Sequence, residues 1–114
     1  MFILKGILRA ESQENILMYL VVRQKGYGKA IAEFYDCPLN PIKTQLRKME
    51  EDGLLVSRTI GKVREYELNP RYAFISPMTE LLKAGLKAYP ENVRNELAME
   101  RRRPRAAGKP INVA

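Results

Sequence analysis

The stretch from Asn40 to Leu55, NPIKTQLRKMEEDGLL, decides how this chain is read. Asn40 is a good helix N-cap, Pro41 suits the first helical position, and Gly53 suits the residue just past the end. A helix of about twelve residues is predicted between them. At 100° per residue, Ile42, Leu46 and Met49 share one face and must look inward. Thr44, Arg47, Lys48 and Glu51 fall opposite, with Asn40 near them at the start and Lys43 on the flank. The exposed face is thus polar and cationic for two turns, while Glu50, Glu51 and Asp52 crowd the last. Acids at a helix C-terminus oppose the macrodipole, at a cost of roughly a few tenths of a kcal/mol. A merely solvated charged face would show the same split. It also suits a helix entering a major groove N-terminus first, with its early side chains and positive dipole end toward bases and phosphates.

The flanking sequence supports the second reading. KAIAEFYD (29–36) has helical composition with Ile31, Ala32 and Tyr35 on one side, and CPL (37–39) breaks it. Two helices joined so tightly make a helix-turn-helix pattern. Upstream, Ser12 is a plausible N-cap, with Glu14 in the first turn. Ile16, Leu17, Leu20 and Val21 recur at helical spacing up to a stop at Gly26. Residues 2–9 read as a short helix or arm. Downstream, LLVSRTI (54–60) and VREYEL (63–68) flank Gly61-Lys62, a Gly-led hairpin loop of type II′. That loop sets Ile60 opposite Val63, Thr59 opposite Arg64, and Leu55 opposite Leu68. It also makes Arg58 and Glu65 a cross-strand ion pair. Leu55, Tyr66 and Leu68 then face the helices, and Lys62 and Arg64 project at the tip.

A further helix is expected from Ser76 as cap and Pro77 in its first position, ended by Pro90. Met78, Leu81, Leu82, Leu86 and Tyr89 form its apolar stripe. ENVRNELAMERRR (91–103) suggests another helix, and PRAAGKPINVA (104–114) has the composition of a disordered end. The expected organisation is a main domain over 1–89 with terminal segments available for pairing, a C-terminal helix over 90–103, and a flexible basic tail over 104–114.

The net charge of +7 is unevenly placed: RRRPRAAGK (101–109) holds five basic residues and no acid, leaving 15 basic against 13 acidic over residues 1–100. A basic balance favours anionic partners. No apolar run approaches the roughly 18 residues a membrane span needs, so no membrane partner is expected. The single Cys37 excludes an internal disulfide and suits a reducing cytoplasm. The chain has no histidine, which excludes a Cys/His zinc site and a Ser-His-Asp triad. No cofactor motif and no catalytic constellation is found, and no enzyme activity is expected.

IAEFYDCPLNPIKTQLRKMEEDGLL (31–55) resembles the helix-turn-helix of MarR- and ArsR-like winged-helix regulators of bacteria and archaea. Ile31, Ala32, Glu33, Ile42, Leu46, Met49, Glu50, Gly53 and Leu54 occupy that pattern without a gap, and GKVREYELNP (61–70) is similar to its wing. The likeness covers about residues 12–70. It implies a mainly α, α/β winged helix: three N-terminal helices, a hairpin wing, then one or two C-terminal helices. It implies a cytoplasmic transcription regulator that binds double-stranded DNA in a sequence-specific way. By position, Asn40, Thr44 and Arg47 would read bases or seat the helix. Lys43 and Lys48 would contact phosphates, and Lys62 and Arg64 would act from the wing. Many regulators of this kind pair through terminal helices.

Three features stay open at this level. Cys37 is either a reactive thiol near Lys29 or a small packing residue. The stripe Met78, Leu81, Leu82, Leu86, Tyr89, with Gly85 permitting close approach, either closes the core or, with the N-terminal segment, forms a homodimer. The tail is either a DNA-binding arm or a solvated extension. The rival function is a winged-helix module for protein contact inside a larger assembly.

Overall fold

The computed structural model describes residues 1–99. Its elements run α1 (Glu11–Arg23), α2 (Gly28–Tyr35), α3 (Leu39–Glu51), β1 (Leu55–Ile60), β2 (Val63–Leu68), α4 (Ile75–Leu86) and α5 (Glu91–Ala98). Three helices, an antiparallel hairpin and two more helices make a winged-helix arrangement. The hairpin has the register that its loop dictates, Leu55 opposite Leu68 through Ile60 opposite Val63. Gly61 has φ +62° and Lys62 stays out of the left-handed region, as a type II′ loop requires. The Arg58–Glu65 pair closes at 3.2 Å.

Every helix starts without a side-chain cap bond. Ser12, Asn40 and Ser76, expected as caps, all lie inside the first turn; the caps are Ala10, Pro38 and Phe74. Pro41 and Pro77 therefore occupy the third helical position rather than the first. Nothing is lost there, because the amide of that position has no intrahelical acceptor either. The C-terminal end of α3 is as expected. Gly53, φ +86°, donates to Glu50 O and Leu54 donates to Met49 O, so two orphan carbonyls are satisfied while Leu54 and Met49 are both buried. Helix α1 ends earlier than Gly26, at Gln24 with φ +75°.

Gly26 has another role. Its N–H donates to Tyr66 O at 3.0 Å and its carbonyl accepts from Tyr66 N at 2.7 Å, adding a one-residue third strand to β2. A Cβ on Gly26 would lie 2.6 Å from the Tyr19 ring, so the position demands glycine.

Ile16, Leu17, Met18 and Leu20 of α1 form the centre of the core, packed by Ile31, Ile42, Leu46, Leu55, Leu82 and Leu97. Each fully buried aliphatic side chain contributes about 1.5–3 kcal/mol. Leu82 and Tyr89 of the α4 stripe are enclosed by their own chain and do not face outward. Met78, Leu81 and Leu86 are half-buried against the same core. Gly85 does serve close approach, but to Leu4 and Met18 of this chain.

The N-terminal segment is not helical. Gly6, φ +101°, turns it, and Leu4 packs into the core. A buried carboxylate holds it there: Glu14 accepts from the amides of Ile3 at 2.9 Å and Leu4 at 2.6 Å, and from the Tyr89 hydroxyl at 2.5 Å. Burial, then this bond to a carboxylate, pushes the Tyr89 phenol well above its usual range.

Helix α5 ends at Ala98, short of the 103 expected, because Met99 turns to extended backbone and Arg23 takes the closing carbonyls. The Arg23 guanidinium donates to Glu96 O, Leu97 O and Met99 O, each at 3.0 Å, and lies over the rings of Tyr19 and Phe34. Leu97 is buried in the common core, so residues 90–99 belong to the same body as residues 1–89. The RRR run and the tail over 104–114 lie outside the described residues. No described helix is long and apolar enough to cross a membrane.

Candidate nucleic-acid interface

Helix α3 puts Ile42, Leu46 and Met49 into the core and leaves Asn40, Lys43, Thr44, Arg47 and Lys48 exposed. Lys62 and Arg64 are exposed on the wing. All seven predicted positions therefore reach solvent on α3 and the hairpin. They do not form one set. A cleft of about 650 Å³ between α3 and the wing is lined by Lys43 and Arg47 on one side and Lys62 and Arg64 on the other. Asn40, Thr44 and Lys48 lie outside that lining, on the outward side of the helix.

The cleft has a third wall that the spacing of motifs did not indicate. Tyr27 and Lys29, at the start of α2, line it as well. The Gly26–Tyr66 rung places them there by tying the turn before α2 to the middle of β2. Gly28 lies against α3, where a Cβ on it would make ordinary contacts of 3.4–3.6 Å with Leu46, Leu39 and Lys43. The only sequence clue was a glycine on either side of Tyr27, which also fits an ordinary loop. Leu39, the first residue of α3, is partly exposed and forms part of the lining.

The charge of the cleft is graded along α3. Lys43 and Arg47 come first, and Glu50 and Glu51 line its end. The gradient spans about 10 Å from Lys43 to Glu50 at 1.5 Å per residue. Glu50 is half-buried and accepts from the Ser57 hydroxyl at 2.5 Å. Ser57 in turn accepts from Arg64 Nη1 at 2.9 Å. Arg64 was expected to project with Lys62 at the tip; instead it folds back along its strand, because residues 57 and 64 are diagonal neighbours on one hairpin face. Tyr66 is buried beneath them. Burial and then Glu50 push its phenol up, against a smaller opposing pull from Arg64 and Arg47.

Other candidates fall away from the cleft. Cys37 is half-buried, and burial first, then Asp36 and Glu11, push its thiol up, the opposite of activation. Among the described residues no three acids or cysteines converge as a metal site would need. Five cations against two carboxylates around an open concavity leave an anion as the complementary ligand. Compared with family models, curated proteins and solved structures, the chain finds no match.

Proposed function

We propose that this protein binds double-stranded DNA and regulates transcription, without catalysis. The first two turns of α3 enter the major groove, where Thr44 and Arg47 meet base edges. Lys43, Lys48 and the wing's Lys62 meet phosphates. The observation that carries this reading is the shared cleft: cations from α3, the wing and the start of α2 converge on one open surface. The winged-helix fold adds the α3 geometry that a groove accepts.

The test is titration of the full chain with a labelled random duplex across a salt series. Affinity is expected to fall steeply, with a log–log slope of about −0.9 per phosphate neutralised. Absence of binding at low salt rejects the proposal. Selection of bound fragments from a random duplex library then defines the preferred sequence.

A second reading, contact with another protein inside a larger assembly, is favoured by one observation. Ile60 and Val63, opposite each other at the wing tip, are 47% and 43% exposed. The same titration separates the two.

A two-fold partner of this chain fits the DNA reading, because paired half-sites suit paired readers. The candidate surfaces for it are the arm and the start of α4, where Ile7 and Phe74 are 61% and 64% exposed. Phe74→Glu is expected to leave the fold intact and shift the sedimentation coefficient from dimer to monomer. A wild-type chain that sediments as a monomer at all concentrations removes pairing from the proposal.

A further inference from the structure

We propose that Glu50 and Ser57 are positioning residues for DNA reading: by holding Arg64 back along the hairpin, they fix the distance between the wing and the recognition helix. This inference rests on the DNA-binding reading above.

The chain of contacts runs from α3 to both strands. Ser57 Oγ, on β1, donates its proton to Glu50 Oε2 on α3 at 2.5 Å and accepts from Arg64 Nη1 on β2 at 2.9 Å. A hydroxyl can do both, since it has one donor and two lone pairs. A short hydroxyl side chain, serine or threonine, bridges a carboxylate and a guanidinium here, whereas alanine offers nothing and an amide is longer. One end is well anchored, because Glu50 is half-buried beside buried Tyr66, in the last turn of a helix whose Met49 is buried. The other end is not, because Arg64 is exposed. The unequal ends matter. A two-stranded ribbon is marginal by itself, and here the Gly26–Tyr66 rung fastens only its middle. Ser57 stands opposite Tyr66 at that same rung, so its bond to Glu50 ties the middle of the hairpin to α3, and Arg64, two residues further out along β2, joins the link through Ser57.

The charge assignment follows. Glu50 places a negative group inside a cationic cleft, which weakens attraction for any polyanion. Such a residue lowers general affinity while it sets geometry, and geometry separates a preferred sequence from a random one. Glu50 also explains why α3 carries an acid where the helix dipole disfavours it.

The test uses the full chain carrying Ser57→Ala, Ser57→Thr or Glu50→Gln. Wing position is read without DNA, from the distance distribution between spin labels on exposed Glu33→Cys and Ile60→Cys in a Cys37→Ser background. Ser57→Ala is expected to broaden that distribution, and Ser57→Thr, which keeps the hydroxyl, to restore it. With duplexes, Ser57→Ala and Glu50→Gln are expected to reduce the preference for selected over random sequence at least fivefold, with the thermal midpoint held near wild type. Glu50→Gln alone is expected to tighten random-duplex binding, because it removes a negative charge. An unchanged distribution in Ser57→Ala overturns the inference, as does an unchanged preference. If the wild type binds no duplex, the DNA reading fails by itself, and the distance distribution alone decides whether Ser57 holds the wing.

Discussion

The two sides of this molecule use the same residue types in opposite ways. On the side of the N-terminal arm, α4 and α5, charged groups are enclosed and satisfied: Glu14 by two amides and a phenol, Arg23 by three carbonyls and two aromatic rings. On the side of α3 and the wing, Lys43, Arg47 and Lys62 extend into solvent around an open cleft, and Lys48 extends from the outward side of α3. Enclosed charge is spent on stability, because removing one partner strands the other in a poor solvent. Exposed charge does little for stability and is available to a ligand. Composition could not separate these uses, since both draw on the same arginines and glutamates.

The largest expected effect lies on the enclosed side. Glu14→Ala strands the Ile3 and Leu4 amides and the Tyr89 hydroxyl, and is expected to cost about 3–5 kcal/mol. Urea unfolding at unchanged m-value measures it, and a loss well under about 1 kcal/mol would break the comparison. Duplex binding per folded molecule should not move, as distant sites add independently.

Gly26→Ala comes next because it touches both sides. The new methyl would press on Tyr19 and disturb the rung to Tyr66. The expected cost is about 1–3 kcal/mol of stability, together with weaker duplex binding. Loss of one property without the other would show that the rung does not couple the wing to the core.

Arg47→Ala sharpens the comparison from the open side. Folding stability is expected to stay within about 0.5 kcal/mol, while binding to a selected sequence weakens by about 1–3 kcal/mol. An equal loss on random duplex would make Arg47 a phosphate contact.

What the sequence disclosed depended on the range of the interaction. The hairpin was legible down to its register because a two-residue loop and a period of two leave little freedom. The end of α3 was legible because Gly53 is the local residue that a left-handed closing position requires. Helix starts were misplaced in three helices. Polar residues near Pro41 and Pro77 resembled caps, but a proline is tolerated anywhere in the first turn, where no amide has an intrahelical acceptor. It therefore does not fix the start, and the helices begin further back, at Leu39 and Ile75. Glu14 was read only as an acid in the first turn of its helix. Only the arm folding over it, ten residues upstream, makes it a buried acceptor, and nothing in the local pattern announces that. Lys29 and Tyr27 were missed for the same reason: they reach the cleft through pairing between Gly26 and Tyr66, forty residues apart.

That pairing also limits how the wing can move. Clamped at its midpoint, the hairpin bends as a short lever pivoting near Tyr66, while the inner rungs stay with the body. Such a lever can tilt to follow a groove that widens or narrows, yet it cannot slide along the helix beside it. In the proposed complex, adaptation to different duplex shapes would thereby be confined to the few rungs beyond the pivot.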